Sequence, residues 1–209
     1  MSQRSFLIAC FVLVLVNGVL FFKFFSSETP SNKTESSPKK AAIVVCFGDS
    51  LTKGYGASTG ADYPSILAQK VGKPVINEGI SGDTTAEALE RLEDDVLDHN
   101  PDIVLITIGG NDMKNGVPVA KAKENILAMI SQIRATGARI ILGGVNPPIM
   151  SRNYPKMYHD IEEETDILII PDILQGIMGD DDLMSDMIHP NDQGYKLVAE
   201  KFYEKMQEL

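Results

Sequence analysis

Four unbroken, largely β-branched aliphatic stretches constrain this chain more than any other feature: residues 41–47 (AAIVVCF), 103–108 (IVLITI), 139–145 (RIILGGV) and 167–170 (ILII). A strand wetted on one face alternates apolar with polar residues, so a run without alternation belongs to a strand covered on both faces, as in a parallel sheet. Residues 75–77 supply a fifth, shorter candidate. Between these runs lie segments of helical period at 63–71, 84–98, 117–136, 154–165 and about 191–207. Pro118 suits a first helical turn and Gly137 a stop. Strands and helices in alternation predict an α/β fold, a three-layer α/β/α sandwich around a five-stranded parallel sheet with right-handed crossovers. In such sheets ligands bind beyond the carboxyl ends of the strands, so those loops are where function is to be sought.

No internal repeat and no second linker interrupt residues 41–209, which make one domain. Ahead of it, residues 6–25 are nearly all apolar, broken by Asn17, Gly18 and Lys23, after a short polar start carrying Arg4. About 20 apolar residues cross a bilayer as a helix, so an N-terminal hydrophobic helix acting as a membrane anchor is the expectation. A cleaved signal peptide is the competing reading, although the small residues its cut requires are poorly placed. Leu7-Ile8-Ala9-Cys10 imitates a lipoprotein box but precedes most of the apolar run. Residues 26–40, rich in Ser, Pro, Lys and Glu, read as a solvated linker. The domain is therefore expected to be exported and extracytoplasmic, in the periplasm or at the cell surface, tethered to the cytoplasmic membrane by residues 6–25.

Composition narrows the chemistry. A net charge of −10 argues against a nucleic-acid partner. Two cysteines, one of them inside the N-terminal apolar run, cannot form a disulfide framework. The three histidines show neither CxxC nor HExxH spacing, so no metal site is expected.

Four loops carry polar residues that sheet packing does not require. After the first strand comes GDSLT (48–52), where Ser50 is either a nucleophile or the cap of a following helix. After the second comes NEGISGDTT (77–85), where Gly82 lets the backbone approach a ligand and Asp83 and Thr84 also suit a helix cap. The third ends in GGND (109–112), where the Asn111 amide is a donor or a turn former. Near the carboxyl end stands DMIHP (186–190). Its three-residue spacing lets Asp186 hold the ring N–H of His189 and fix its tautomer, leaving the other nitrogen as a general base. His99 and His159 read as structural, given local charge and helix ends.

In this order, GDSL, NEGISGDTT, GGND and DMIHP resemble the SGNH-hydrolase or GDSL-esterase family over essentially all of residues 41–209. The ISGDT and GGND wording is most similar to its bacterial arylesterase branch, with acyl-CoA thioesterase and lysophospholipase activities. The resemblance implies Ser50 as nucleophile, His189 and Asp186 completing a triad, and Gly82 and Asn111 as oxyanion donors beside the Ser50 N–H. His189 would take the Ser50 proton, an acyl-enzyme would form, and water would release the acid without metal or organic cofactor. The expected activity is hydrolysis of carboxylic esters or thioesters of small to medium acyl chains by a monomer.

Other readings stand beside it. A carbohydrate O-acetylesterase, or a non-catalytic lipid- or carbohydrate-binding module, could use the same fold. A metal-dependent phosphoesterase could recruit Asp49, Asn111, Asp112, Asp186 and His189, but such sites usually want more histidine. The glycine run 54–60 (GYGASTG) hints at dinucleotide binding, yet its spacing is one residue too long. Cys46 sits in a buried-strand pattern and reads as core. No substrate-binding residue is singled out, but the loops 146–155 and 174–186, rich in Pro, Met and Ile, are expected to line the acyl side. A membrane-held domain would favour lysophospholipids or other single-chain lipids over soluble sugar acetates.

Overall fold

The computed structural model describes residues 42–147 and 153–209. Five strands, β1 (Val44–Gly48), β2 (Val75–Gly79), β3 (Ile103–Thr107), β4 (Arg139–Gly143) and β5 (Leu168–Ile170), form one sheet in the order β2-β1-β3-β4-β5. Every neighbouring pair is parallel, and Gly48 lies level with Gly79 on one side and Thr107 on the other. The helices in chain order are α1 (Ser50–Lys53), α2 (Tyr63–Val71), α3 (Thr85–Glu90), α4 (Leu92–Asp95), α5 (Gly110–Asn115), α6 (Val119–Ala135), α7 (Tyr154–Thr165) and α8 (Asp192–Met206).

Burial on both faces accounts for the unbroken aliphatic runs. Val45, Phe47, Val104, Ile106 and Leu142 pack into one core with Ala88, Leu92, Ile126, Met129 and Ile161, from α3, α4, α6 and α7. Their sequence neighbours Val44, Cys46, Leu105 and Ile141 pack into a second core with Tyr63, Leu67, Tyr195, Val198 and Phe202, from α2 and α8. Each such side chain taken out of water contributes about 1.5–3 kcal/mol, so a polar residue at either parity would be costly. The chain leaves β1 for β2 on one side and returns to β3 on the other. That reversal opens a crevice at the carboxyl ends of β1 and β3.

The sheet, its parallel sense and its strand number match the sequence expectation, while several boundaries do not. β1 begins at Val44, and β2 runs on to Gly79 because it pairs with β1 along its whole length. The helix expected over 84–98 is three pieces: α3, α4 and a 3₁₀ turn at Leu97–His99. Thr84 and Glu87 form a capping box that starts α3, but Arg91 leaves helical geometry at φ −100° and ψ 6°. Its guanidinium donates to backbone carbonyls at the ends of β1 and β2. A short helix, α5, stands where GGND also read as a turn, and the helix considered after β1 is α1, with Asp49 and not Ser50 as its cap. The apolar run 6–25 and the linker 26–40 lie outside the described residues. Among the described residues, no helix is long and apolar enough to cross a membrane.

Candidate active site

β1 ends against β3 so closely that a Cβ on Gly48 would overlap the Thr107 carbonyl. The chain then turns into α1, capped by Asp49, whose Oδ1 accepts from the Leu51 N–H at 3.0 Å. Because Asp49 is the cap, Ser50 occupies the first helical position and its hydroxyl is left for other work. Its Oγ lies 2.9 Å from Nε2 of His189.

The segment carrying His189 is held by its own hydrogen bonds. Asp186 Oδ1 accepts from the N–H groups of Ile188 (2.7 Å) and His189 (2.8 Å), and Asp186 Oδ2 lies 2.8 Å from His189 Nδ1. Partial burial pushes the Asp186 carboxyl up, but hydrogen bonds from the His189 ring and these two N–H groups outweigh it and hold it below the usual carboxylate range. An ionised Asp186 places the proton on Nδ1, so Nε2 faces Ser50 as an acceptor. Ser185 donates from N and Oγ to the His189 carbonyl at 2.8 and 3.0 Å, and Asn191 caps α8 immediately behind. The glycine run 54–60 is strapped to this region. Asp192 Oδ1 accepts from the Ser58 N–H at 2.7 Å, and the Tyr195 hydroxyl donates to the Tyr55 carbonyl at 2.9 Å.

Gly82 and Asn111 line the same pocket as Ser50 and His189. Gly82 has φ +97° and open space where a Cβ would stand, a conformation that favours glycine. Asn111 sits in the first turn of α5, and its amide nitrogen donates to the Asp83 carbonyl at 2.9 Å and toward Asp49 Oδ2 at 3.4 Å. Asp49 is almost wholly buried. Burial raises its carboxyl to about 7, against the pull of the Leu51 N–H and with added repulsion from Asp83 and Asp112. Asp112, by contrast, turns into the core, where Thr85 donates to it from N at 2.8 Å and from Oγ1 at 2.6 Å.

These groups open on a cavity of about 1100 Å³. Leu51, Tyr55, Val145, Pro147, Met178, Met184, Met187 and Ile188 form its apolar lining, with Lys114 and Asp181 among its polar members. Both loops expected on the acyl side contribute, 146–155 through Pro147 and 174–186 through Met178 and Met184, while residues 148–152 lie outside the described ones. Tyr55, packed against His189 with ring centroids 4.6 Å apart, was not read from the sequence. An aromatic inside a glycine run close behind Ser50 was the available signal. His99 pairs with Glu78 at 3.3 Å, and His159 stands exposed beside Glu162 and Glu163. Cys46 is fully buried, which drives its thiol far up from its ordinary value.

A serine, a histidine and a carboxylate in hydrogen-bond series at the switch point of an α/β/α sheet define a serine hydrolase. Residues 46–197 match the GDSL-like lipase/acylhydrolase family, and the chain belongs to it. It is an ester-hydrolysing enzyme. The chain is 31% identical over 197 residues to an arylesterase of Vibrio mimicus, covering 89% of this chain and 94% of that one. It is 27% identical over 180 residues to the thioesterase 1/protease 1/lysophospholipase L1 of Escherichia coli K12, covering 81% and 85%. The crystal structure of the psychrotrophic esterase EstA from Pseudoalteromonas sp., inhibited by monoethylphosphonate, superposes with a TM-score of 0.72 at 29% identity, covering 79% of this chain and 97% of that one.

Proposed function

We propose that this enzyme hydrolyses carboxylic esters or thioesters of apolar, small to medium acyl chains through an acyl-enzyme on Ser50. The observation that carries the reading is the pair of contacts on His189, 2.9 Å to Ser50 and 2.8 Å to Asp186, at the mouth of an apolar cavity. A serine hydroxyl is too weakly acidic to attack unaided. His189 Nε2 takes its proton as the Oγ–carbon bond forms, and Asp186 steadies the imidazolium. The carbonyl π electrons move onto oxygen, where the Ser50 and Gly82 N–H groups and the Asn111 amide are the donors. Collapse expels the alcohol or thiol with the proton from His189, and water repeats the cycle on the acyl-enzyme.

The lining favours an acyl chain over a polar sugar, and the arylesterase and lysophospholipase names of the relatives agree with that preference. We further propose that residues 1–25 serve as membrane anchor or signal peptide and 26–40 as linker, holding a hydrolase domain of 41–209 outside the cytoplasm. The length of the apolar run supports this, as do the exposed Tyr55, Met187 and Ile188 at the cavity mouth.

The test is covalent labelling with an alkyl phosphonate, followed by peptide mass spectrometry and turnover of p-nitrophenyl esters graded by acyl length. The adduct is expected on Ser50, with Ser50→Ala losing at least about a thousandfold in kcat. Undiminished turnover by Ser50→Ala removes Ser50 from the chemistry, and failure to turn over any acyl length from acetate to octanoate overturns the substrate class. Cell fractionation with N-terminal sequencing tests the anchor, and a shortened chain in the soluble fraction rejects it.

A further inference from the structure

Arg91 interrupts the helical segment that follows β2, and its side chain is largely buried beneath the site. Nε donates to Asp83 Oδ2 at 2.6 Å, Nη1 to Asp95 Oδ2 at 2.8 Å, and Nη2 to the carbonyls of Gly48 and Glu78 at 3.0 and 3.1 Å. The guanidinium lies 4.3 Å from the centre of the Phe47 ring. One rigid fork thus ties the last residue of β1, two positions before Ser50, to the end of β2 and to Asp83. A lysine ammonium could not make these contacts at once.

The two other oxyanion donors hang from the groups Arg91 holds. Gly82 belongs to a turn in which Asp83 N–H donates to the Ile80 carbonyl at 3.3 Å and Ile80 N–H to the Gly48 carbonyl at 2.9 Å. Arg91 therefore grips that turn at both ends, at Gly48 and at Asp83. The Asp83 carbonyl in turn accepts the Asn111 amide at 2.9 Å. Hydrogen bonds to a charged group are about twice as strong as neutral ones and shorter, which suits a clamp.

We propose that Arg91 is the positioning residue of the oxyanion site, setting Gly82 and Asn111 against Ser50 through Asp83 and Gly48. The proposal rests on the reading of Gly82 and Asn111 as oxyanion donors. A misplaced donor fails the transition state and not the bound substrate, so the loss belongs in kcat.

The experiment compares Arg91→Lys and Asp83→Asn with the full-length enzyme on one short p-nitrophenyl ester, each alone and in an Asn111→Ala background, with melting temperatures recorded. Arg91→Lys is expected to lower kcat about tenfold to a hundredfold while KM stays within about twofold. In the Asn111→Ala background the same substitution is expected to cost distinctly less, because one of the two donors it places is gone. Should Arg91→Lys not fold, Asp83→Asn carries the test, removing the charge while keeping an oxygen acceptor and the Asp83 carbonyl. Unchanged kcat in both variants, a loss confined to KM, or an equal loss in both backgrounds overturns the proposal. A full kcat in Asn111→Ala alone would sink the oxyanion role of Asn111, a separate result.

Discussion

The ring of Tyr55 lies against the imidazole of His189, with centroids 4.6 Å apart and planes tilted by 52°. This tilted contact limits how far the imidazole can swing from Ser50. An aromatic pair of this kind is worth about 1 kcal/mol. Tyr55→Ala is therefore expected to lower kcat about fivefold on a short ester, while Tyr55→Phe, which keeps the ring, stays near the parent. Steady-state kinetics on the two variants decides it, and an equal loss in both would shift the effect to the hydroxyl.

Asp49 makes stability depend on pH in an unusual direction. Its folded carboxyl titrates at about 7 against an ordinary value of 3.8, so between those values the folded chain holds a proton that the unfolded chain releases. The contribution is complete below the ordinary value and is lost as pH rises toward the folded one. Asp49→Asn keeps an oxygen to cap α1 and removes the titration. Urea unfolding at about pH 5 and about pH 8 should show the variant gaining on the parent at the higher pH. Parallel pH dependences would place the carboxyl in a more polar setting than its burial indicates.

Asp112 stands next to Asn111 in sequence but accepts two hydrogen bonds from Thr85 in the core. Asp112→Ala leaves the Thr85 N–H without its acceptor and is expected to destabilise the fold by about 2 kcal/mol, measured by urea unfolding. Its place in the core also removes it from the ligand set of a metal-dependent phosphoesterase. Ester hydrolysis is expected to survive EDTA, and loss of activity on chelation with recovery on adding a divalent cation would reverse that expectation.

The parallel sheet was legible because Val44 to Phe47 feed two cores by turns, and double burial writes itself as an unbroken apolar run. The pairing of Asp186 with His189 was legible because both lie within one turn, whereas their meeting with Ser50 rested on a family likeness. Arg91 was invisible: in a helical pattern it reads as a solvated charge, and only the carbonyl ends of β1 and β2 reveal where its guanidinium goes. The helix at 110–115 was hidden by glycine and asparagine, whose turn preferences mask a helix beginning at the ligand edge of the sheet. Residues 54–60 hinted at a nucleotide loop with a spacing one residue too long, and Gly56 instead lets the strap pack closely, since a Cβ on it would run into Ser185.

Asp186 and His189 share one short segment whose internal hydrogen bonds fix their mutual geometry. Alignment of the three groups then reduces to a single adjustable gap, between that preassembled cassette and the start of α1. A change in the packing of the strap at 54–60 would retune that gap without disturbing the pair, giving drift in sequence one dial for reactivity.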